Sequence, residues 1–253
     1  MKRQAHRPVI VTGGSQGIGA AIVRELARRS VPVCLNYNSS AEAAEKLAKE
    51  LRSEGADVSA VRADMNREED IQALFATAEE RHGRPGALVN NAGYVGKAGR
   101  LVEEAEAAVL HQTMSVNVVA PFLCARELLR HILPRNGGDG GRIVNISSIA
   151  ARTGSPRDWV DYAASKAALD AFTIGLAKEV GAEKVRVNGI APGIISTEIH
   201  QKAGAPDRLE RFAQAVPLKR IGTAEEVADL AAWLLLDAPD YVTGTTIEIG
   251  GGL

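Results

Sequence analysis

The sequence contains few cysteines and few aromatic residues. Only 2 of its 253 residues are cysteine, and Phe, Trp and Tyr together make up 4%. Cys34 and Cys124 lie in apolar stretches, without the spacing of metal ligands or of a disulfide framework. We therefore expect two buried, reduced thiols in a cytoplasmic protein, and no metal site.

The sequence also lacks an excess of charge and a long hydrophobic run. Its 30 Lys and Arg residues nearly balance 31 Asp and Glu residues, and no window concentrates the positive charge needed to follow a nucleic-acid backbone. The longest strongly apolar run, 230–236, is far shorter than the ~20 residues that a membrane span requires. No apolar signal core follows the N-terminus. We expect neither a nucleic-acid partner nor a membrane partner.

Short apolar runs alternate with longer segments of helical period along the whole chain. Seven runs have the character of strands: 8–11, 31–35, 58–61, 87–89, 142–146, 185–188 and 246–249. Most are apolar at every position, as in parallel strands that are buried on both faces. Six segments are long enough for crossover helices: 18–29, 41–54, 68–82, 116–133, 162–180 and 224–236.

No linker or change of composition divides the chain. The alternation predicts an α/β fold, in which one doubly wound domain over residues 1–253 has a seven-stranded parallel sheet with helices on both faces. Ser40 and Thr223 are predicted N-caps, the second in a capping box with Glu226. The segment 194–216 is polar and rich in Gly, Ala and Pro, and we expect it to cover the substrate as a lid.

A glycine-rich turn follows the first predicted strand. The run from Thr12 to Gly19 reads TGGSQGIG and leads directly into a helix. Gly13 suits a tight turn, Gly17 lets the backbone approach a pyrophosphate, and Gly19 lets helix and sheet pack closely. The helix N-terminus would face the phosphate charge. A tight turn without a ligand would also use such glycines, whereas the spacing excludes a triphosphatase P-loop.

The end of the second predicted strand bears on the choice of cofactor. An acid at this position holds a ribose 2′-hydroxyl, whereas neutral or basic groups tolerate a 2′-phosphate. This chain has Asn36, Tyr37, Asn38 and Ser39 here, so the position favours NADP(H). NAD(H) stays open as the alternative, because Gln16 is uncharged and no Arg or Lys lies at the strand end.

Residues suited to binding a cofactor or a substrate follow the next three strands. Asp64 ends the third strand, where it could accept a hydrogen bond from an adenine amino group or cap the following helix. The small residues Ala92 and Gly93 after the fourth strand would let backbone pass close to a cofactor. Ser148 follows the fifth strand, at the edge where open α/β sheets bind ligands.

Tyr162 and Lys166 are four residues apart at the start of a predicted helix, so their side chains share one face. A neighbouring ammonium stabilises a phenolate, so we expect a lowered pKa for Tyr162 and a useful acid or base at neutral pH. Ser148 would be a second donor to a carbonyl oxygen. Asn117 interrupts an apolar helical stretch, either as a site residue or as a satisfied core amide.

Together these motifs resemble those of the short-chain dehydrogenase/reductase family, near its 3-oxoacyl-carrier-protein reductases and glucose dehydrogenases. The resemblance implies a Rossmann sheet, a homotetramer or homodimer, and hydride transfer between a nicotinamide and a small-molecule carbonyl or alcohol. The matching residues occur in family order: Thr12, Gly13, Gly17, Gly19, Asp64, 90–93, Asn117, Ser148, Tyr162, Lys166, Pro192, Gly193, Thr197, 241–244 and 250–251.

The resemblance also implies roles for individual residues. Tyr162 would donate a proton to the carbonyl, and Ser148 would orient and polarise it. Lys166 would bind the nicotinamide ribose and lower the pKa of Tyr162, while Asn117 would hold a water in a proton relay. The cofactor would be bound by Gly13, Ser15, Gln16, Gly17, Ile18, Gly19, Asn36, Tyr37, Asn38, Ser39, Asp64, Met65, Asn91, Ala92, Gly93, Tyr162, Lys166, Pro192, Gly193, Ile195 and Thr197.

The sequence departs from the family pattern at two positions. Many NADP(H)-using members have Arg or Lys where Gln16 stands, and the acyl-carrier reductases tend to have a basic residue near Glu183. We therefore expect an NADP(H)-preferring oxidoreductase of a carbonyl or secondary alcohol, with a 3-oxoacyl-carrier-protein reductase or a sugar dehydrogenase as alternatives. A non-catalytic NADP(H)-binding sensor is the rival from another class, and it would not need the proton donor.

Overall fold

The computed structural model describes residues 6–197 and 213–253. Within them, seven strands form one parallel sheet with the order β3-β2-β1-β4-β5-β6-β7. The strands are β1 Val9–Val11, β2 Val33–Tyr37, β3 Val58–Arg62, β4 Ala87–Asn90, β5 Gly141–Ile146, β6 Val185–Pro192 and β7 Thr246–Ile249. This confirms the predicted seven-stranded α/β sheet.

Helices cover both faces of the sheet. On one face α1, α2 and α8 bury their apolar sides, and on the other α3, α5 and α7 do so. The helices are α1 Gly17–Arg28, α2 Ala41–Ser53, α3 Glu68–His82, α4 Ala107–Met114, α5 Ala120–Ile132, α6 Ala150–Thr153, α7 Val160–Val180 and α8 Ala224–Ala232. Thr223 caps α8 in the predicted capping box with Glu226, whereas Ser40 makes no capping hydrogen bond.

A π-helical turn, Ser115–Val119, joins α4 to α5, so one continuous helix runs from Ala107 to Ile132. By length and composition this helix could cross a membrane, since its most apolar window has a mean hydropathy of 1.3. Its second half, however, packs Cys124 and Leu128 into the core beneath the sheet. We therefore interpret its second half as part of the core, whereas Leu110 and Met114 in its first half are exposed.

The order of the strands places a crevice above the middle of the sheet. The chain moves outward from β1 to β3 and then crosses back to β4 on the other side of β1. Loops after β1 and β4 therefore leave in opposite directions at the carboxyl edge, which is where open α/β sheets bind ligands. The residues that the sequence marks as functional lie at this edge.

Candidate active site

The glycine-rich turn joins β1 to α1, and its glycines are required by geometry. Gly13 and Gly17 have φ values of 61° and 52°, in the left-handed region that side chains disfavour. A Cβ atom at Gly19 would lie 2.2 Å from the Gly13 carbonyl oxygen, so the turn closes tightly on the helix. The first turn of α1 contains no acid, and Gln16 makes no side-chain capping bond. The helix N-terminus is therefore suited to an anion such as a pyrophosphate.

Side chains from β2 and β4 hold this turn in place. The Asn91 amide donates to the carbonyl oxygens of Thr12 (2.9 Å) and Gly13 (3.0 Å). The Thr12 hydroxyl oxygen accepts from the backbone N–H groups of Asn91 and Ala92, both at 3.0 Å. The turn is therefore fastened to the end of β4, which places the predicted residues Asn91 and Ala92 beside it.

Asn36 requires a correction. It was expected among the residues that face a cofactor, but its side chain is buried and occupied by backbone groups. Its Oδ1 accepts from the Gly13 N–H at 3.2 Å, and its Nδ2 donates to the carbonyl oxygens of Ala63 (2.9 Å) and Tyr37 (3.2 Å). Asn36 thus locks β2 to the glycine-rich turn and to β3, and cannot offer its amide to a phosphate. Asn38 and Ser39 are exposed at the same strand end.

Of the two predicted site residues after β3, Asp64 lies at the edge of the sheet and the Met65 side chain lies in the core. The Asp64 Oδ1 accepts from the backbone N–H (2.9 Å) and the side-chain amide (2.8 Å) of Asn66, which shapes the turn before α3. Asp64 is not the N-cap of α3, because Arg67 occupies that position. The Met65 side chain is buried with Phe75 and Leu74 in the core, so only its backbone could face a ligand at the edge.

The segment after β6 reaches back to the glycine-rich turn. A Cβ atom at Gly17 would lie 3.3 Å from Cγ2 of Thr197, so these two residues are neighbours although they are far apart in the chain. Gly193 is required by close packing, since its Cβ would lie 2.7 Å from Cα of Gly250. Ile195 is buried and packs into the core, so only its backbone could face a ligand. Most of the predicted lid, 194–216, lies outside the described residues.

Ser148, Tyr162 and Lys166 come together at the carboxyl edge of β5. Ser148 and Tyr162 share a side-chain hydrogen bond. The Lys166 Nζ lies 5.6 Å from the centroid of the Tyr162 ring and donates to the Ile146 carbonyl oxygen at 2.7 Å. Tyr162 and Lys166, which were predicted to share one helical face, are therefore in contact. The loop after β5 contributes the Ser148 hydroxyl.

Burial controls the pKa values of this group. Desolvation raises the pKa of the Tyr162 phenol to about 12, although the hydrogen bond with Ser148 acts in the opposite direction. Desolvation also lowers the pKa of the Lys166 ammonium to about 8, against the attraction of Asp170. In this arrangement the pKa of Tyr162 is raised, not lowered as expected, because the cost of burying the phenolate exceeds the effect of the Ser148 hydrogen bond.

Asn117 lies in the π-helical turn and is fully buried. Its Oδ1 accepts from the Tyr94 N–H at 2.7 Å, and its Nδ2 donates to the Tyr94 carbonyl oxygen (2.8 Å) and to the Ser165 hydroxyl (2.9 Å). Both amide hydrogens are thus in use. A Cβ atom at Gly93 would lie 3.7 Å from the Asn117 Oδ1 and 3.8 Å from the Lys166 Nζ, so Asn117 borders the site.

Two polar residues of the site, Thr12 and Ser165, lie inside the sequence motifs but are given no role by sequence reasoning. Thr12 joins the glycine-rich turn to β4, as described above. The Ser165 hydroxyl donates to the Tyr162 carbonyl oxygen at 2.6 Å and so connects Asn117 to α7. The only indication in the sequence is that Thr12 precedes Gly13 and that Ser165 precedes Lys166. Among the described residues, no group of His, Cys, Asp and Glu side chains could hold a metal ion.

Comparison with known proteins agrees with this geometry. A family model described as enoyl-(acyl carrier protein) reductase matches residues 13–253. The chain is 43% identical to the uncharacterized oxidoreductase YgfF of Escherichia coli (strain K12), covering 96% of this chain and 98% of that protein. It is 34% identical to glucose 1-dehydrogenase 2 of Bacillus subtilis (strain 168), covering 98% and 94%. The crystal structure of a blue fluorescent protein from a metagenomic library, in complex with NADPH, has a TM-score of 0.89 at 33% identity and covers 97% of both chains.

Proposed function

The chain belongs to the short-chain dehydrogenase/reductase family of oxidoreductases, and on that basis we propose that it transfers a hydride between a nicotinamide dinucleotide and a carbonyl or secondary alcohol. One observation carries the proposal: Ser148, Tyr162 and Lys166 meet beside the carboxyl edge of the sheet. A proton donor, a second hydroxyl and a buried cation are the groups that stabilise a developing alkoxide.

Tyr162 is the proposed general acid. Its phenol keeps its proton throughout the neutral range, because burial raises its pKa to about 12. When a carbonyl is reduced, its oxygen gains negative charge and takes the phenolic proton. Ser148 donates a hydrogen bond that stabilises the same oxygen. When bound, the nicotinamide accepts or supplies the hydride.

Lys166 and Asn117 have supporting roles in this proposal. The Lys166 ammonium lies beneath the Tyr162 ring and stabilises the phenolate left after proton transfer. Asn117 fixes the backbone of Tyr94 and, through Ser165, the first turn of α7. Because both amide hydrogens of Asn117 are occupied, a relay water at this side chain has to donate to Oδ1.

We propose NADP(H) as the preferred cofactor, with NAD(H) as the alternative. The absence of an acid at the end of β2 supports this choice, because a carboxylate there would repel a 2′-phosphate. The similarity to a protein whose crystal structure contains NADPH also supports it. The residues that would hold the dinucleotide are those of the glycine-rich turn, Asn38, Ser39, Asp64, Ala92, Gly93, Lys166 and Thr197.

Two substrate classes stay open within the proposed activity. The similarity to a glucose dehydrogenase favours a sugar, whereas 33% identity to the 3-oxoacyl-[acyl-carrier-protein] reductase FabG of Pseudomonas aeruginosa favours a 3-oxoacyl thioester. A sugar dehydrogenase would oxidise polyols or aldoses, and an acyl-carrier reductase would reduce a 3-oxoacyl thioester. A nucleotide-binding sensor, the rival from another class, would bind NADPH but turn over neither substrate.

We further propose a cytoplasmic homotetramer or homodimer. Apolar side chains on the long helix and on α7 are exposed and support self-association. They are Leu110, Met114, Val119, Phe122 and Ile174. Size-exclusion chromatography with light scattering measures the mass in solution, and a monomer at all concentrations would contradict this proposal.

The proposed activity is tested by mixing the purified protein with NADPH or NADP⁺ and a panel of ketones, 3-oxoacyl thioesters, aldoses and secondary alcohols. Absorbance at the reduced nicotinamide band follows the reaction. We expect turnover with at least one class, and a kcat lower by about 10²- to 10⁴-fold in the Tyr162→Phe variant. Binding of NADPH without turnover of any compound would favour the sensor.

A further inference from the structure

A cavity of about 240 Å³ lies between α1 and α2, directly beside the glycine-rich turn. Three parts of the chain contribute to its walls. They are Ser15 and Gln16 of the turn, Ala20 and Arg24 of α1, and Ala43, Lys46, Leu47 and Glu50 of α2. The cavity therefore lies between α1 and α2 and borders Ser15 and Gln16 of the turn, next to where the adenosine end of a dinucleotide would lie in the proposed function.

The charges in this cavity do not cancel. Arg24 binds Glu50 through both guanidinium ends, with N–O distances of 2.5 Å and 3.2 Å, so the only carboxylate of the cavity is already neutralised. The pKa of Glu50 is lowered by its hydrogen bond with Arg24 and, less strongly, by the charge of Lys46, which makes no hydrogen bond or close ion pair with the described residues. Lys46 lies one helical turn before Glu50 on the same side of α2. Arg24, Lys46 and Glu50 together give the cavity a net charge of +1 beside the turn.

The rest of the predicted phosphate site lacks such a charge. Gln16 is neutral, and the Asn36 amide is consumed by backbone groups. Asn38 and Ser39 are exposed but also neutral. A doubly charged phosphate at this edge would therefore need a cation from a neighbouring element, and Lys46 of α2 and Arg62 of β3 are the candidates.

We propose that Lys46, an exposed side chain on the wall of this cavity, is this cation and that its ammonium binds the 2′-phosphate of NADP(H). The inference rests on the proposed function, because it assumes that the chain binds a nicotinamide dinucleotide. Arg62 is the other cation near the end of β2. Its Nε donates to the Asn38 carbonyl oxygen at 3.3 Å, on the β3 side of that strand and outside the cavity. Lys46 shares its cavity with Ser15 and Gln16, so the observations favour Lys46.

Fluorescence titrations of the full-length protein with NADPH and with NADH test this inference without any substrate. In Lys46→Met we expect the dissociation constant for NADPH to rise about tenfold, as for the loss of one charged hydrogen bond. The dissociation constant for NADH should stay unchanged. Lys49→Met is the matched control, because Lys49 is exposed on the same helix but does not line the cavity. Lys46→Arg keeps the charge and should retain most of the NADPH affinity.

The dependence of NADPH affinity on ionic strength is a second test. The difference between the wild type and Lys46→Met for NADPH should shrink as ionic strength rises, because the ion pair is screened. Equal NADPH affinity in the wild type and Lys46→Met would overturn the inference, as would a loss confined to Arg62→Met. Failure of the wild type to bind either dinucleotide would instead overturn the proposed function, so the two failures are distinguishable. Circular dichroism of each variant verifies that it is folded.

Discussion

Arg100 and Asp161 form an ion pair immediately before the proposed general acid. The Arg100 Nη2 lies 3.0 Å from Oδ1 and 2.8 Å from Oδ2 of Asp161, and the two side chains are only 17% and 10% exposed. The Thr113 hydroxyl donates to the same carboxylate at 3.3 Å. Because the Arg100 Nε also donates to the Lys97 carbonyl oxygen, the pair ties the segment after Tyr94 to the start of α7.

Arg100→Met should lower the free energy of unfolding by about 1–3 kcal/mol, because it leaves a mostly buried carboxylate without its charged partner. Urea unfolding measures this loss. Arg135→Met is the control, since Arg135 pairs with Glu183 on the surface and its loss should cost less than about 1 kcal/mol. Adding Asp161→Asn to Arg100→Met should restore part of the stability. Equal losses in both arginine variants would contradict the assigned burial effect.

Tyr162→Phe removes the proton donor but keeps the ring. On a ketone that the wild type reduces, kcat should fall by about 10²- to 10⁴-fold, which is the usual contribution of a general acid. The dissociation constant for NADPH should not change, because the ring still packs beside Trp159. Steady-state kinetics and fluorescence titration measure the two quantities. A kcat close to that of the wild type would remove Tyr162 from the proposed mechanism.

We expect the buried Lys166 ammonium to make the free energy of unfolding depend on pH. Its pKa falls from the ordinary 10.5 to about 8 in the folded protein. Between these values the unfolded chain binds more protons than the folded one, so this residue makes the free energy of unfolding rise with pH across that window. The rise is on the order of 3 kcal/mol in the wild type and should be absent in Lys166→Met.

Urea unfolding of both proteins from pH 7.5 to 10 measures the Lys166 effect. Lys178→Met is the control, because Lys178 is exposed on the same helix and its removal should leave the pH dependence as in the wild type. Parallel curves for the wild type and Lys166→Met would show that burial does not perturb this ammonium.

Gly19→Ala should destabilise the protein by about 1–3 kcal/mol, since its Cβ would lie 2.2 Å from the Gly13 carbonyl oxygen and 2.5 Å from the Asn91 Nδ2. Gly175→Ala is the matched helical control. A Cβ there meets no atom within 4 Å, so alanine should stabilise α7 by about 0.5–1 kcal/mol. Thermal unfolding compares the two variants, and a neutral Gly19→Ala would refute the close packing of the turn.

The stabilities of the Asn36→Asp and Asn38→Asp variants should differ, because the first amide is buried and structural and the second is exposed. The first variant removes the two N–H bonds to Ala63 and Tyr37, so stability should fall by about 1–3 kcal/mol. The second lies on the surface and should change stability by less than about 0.5 kcal/mol. Its new carboxylate should weaken the binding of NADPH more than that of NADH. Intact stability in Asn36→Asp would argue against the buried role.

The sheet and the glycine-rich turn could be predicted from the sequence because both depend on local rules. Apolar runs mark the strands, and the left-handed backbone of Gly13 and Gly17 requires glycine. Contacts between distant segments could not be predicted. The resemblance implies that Gly17 and Thr197 share a cofactor, but not that they are in contact, and the sequence does not indicate that Lys46 and the turn line one cavity. The direction of the Asn36 amide also depends on three backbone partners that only the fold brings together.

The first half of the long helix escaped prediction for a different reason. The hydrophobic period predicts a helix over 116–133, whereas the structure begins it at Ala107. The π-helical turn Ser115–Val119 interrupts the α-helical period, so the apolar positions of α4 and α5 do not form one stripe. The electrostatics of Tyr162 were mispredicted because spacing reports the neighbouring cation but not the degree of burial.

The turn Ser115–Val119 also determines how the two halves of that helix are rotated about a common axis. Each residue of an α-helix advances the next by about 100°, so one residue more or less changes the facing direction of everything beyond it. Deleting Val118 would shorten the helix by only ~1.5 Å, yet it would rotate α5 relative to α4. The apolar side of α5 or the Asn117 amide would then lose its partners. In this helix, a length change of one residue is therefore an angular change, and the same helix serves both the core and the site.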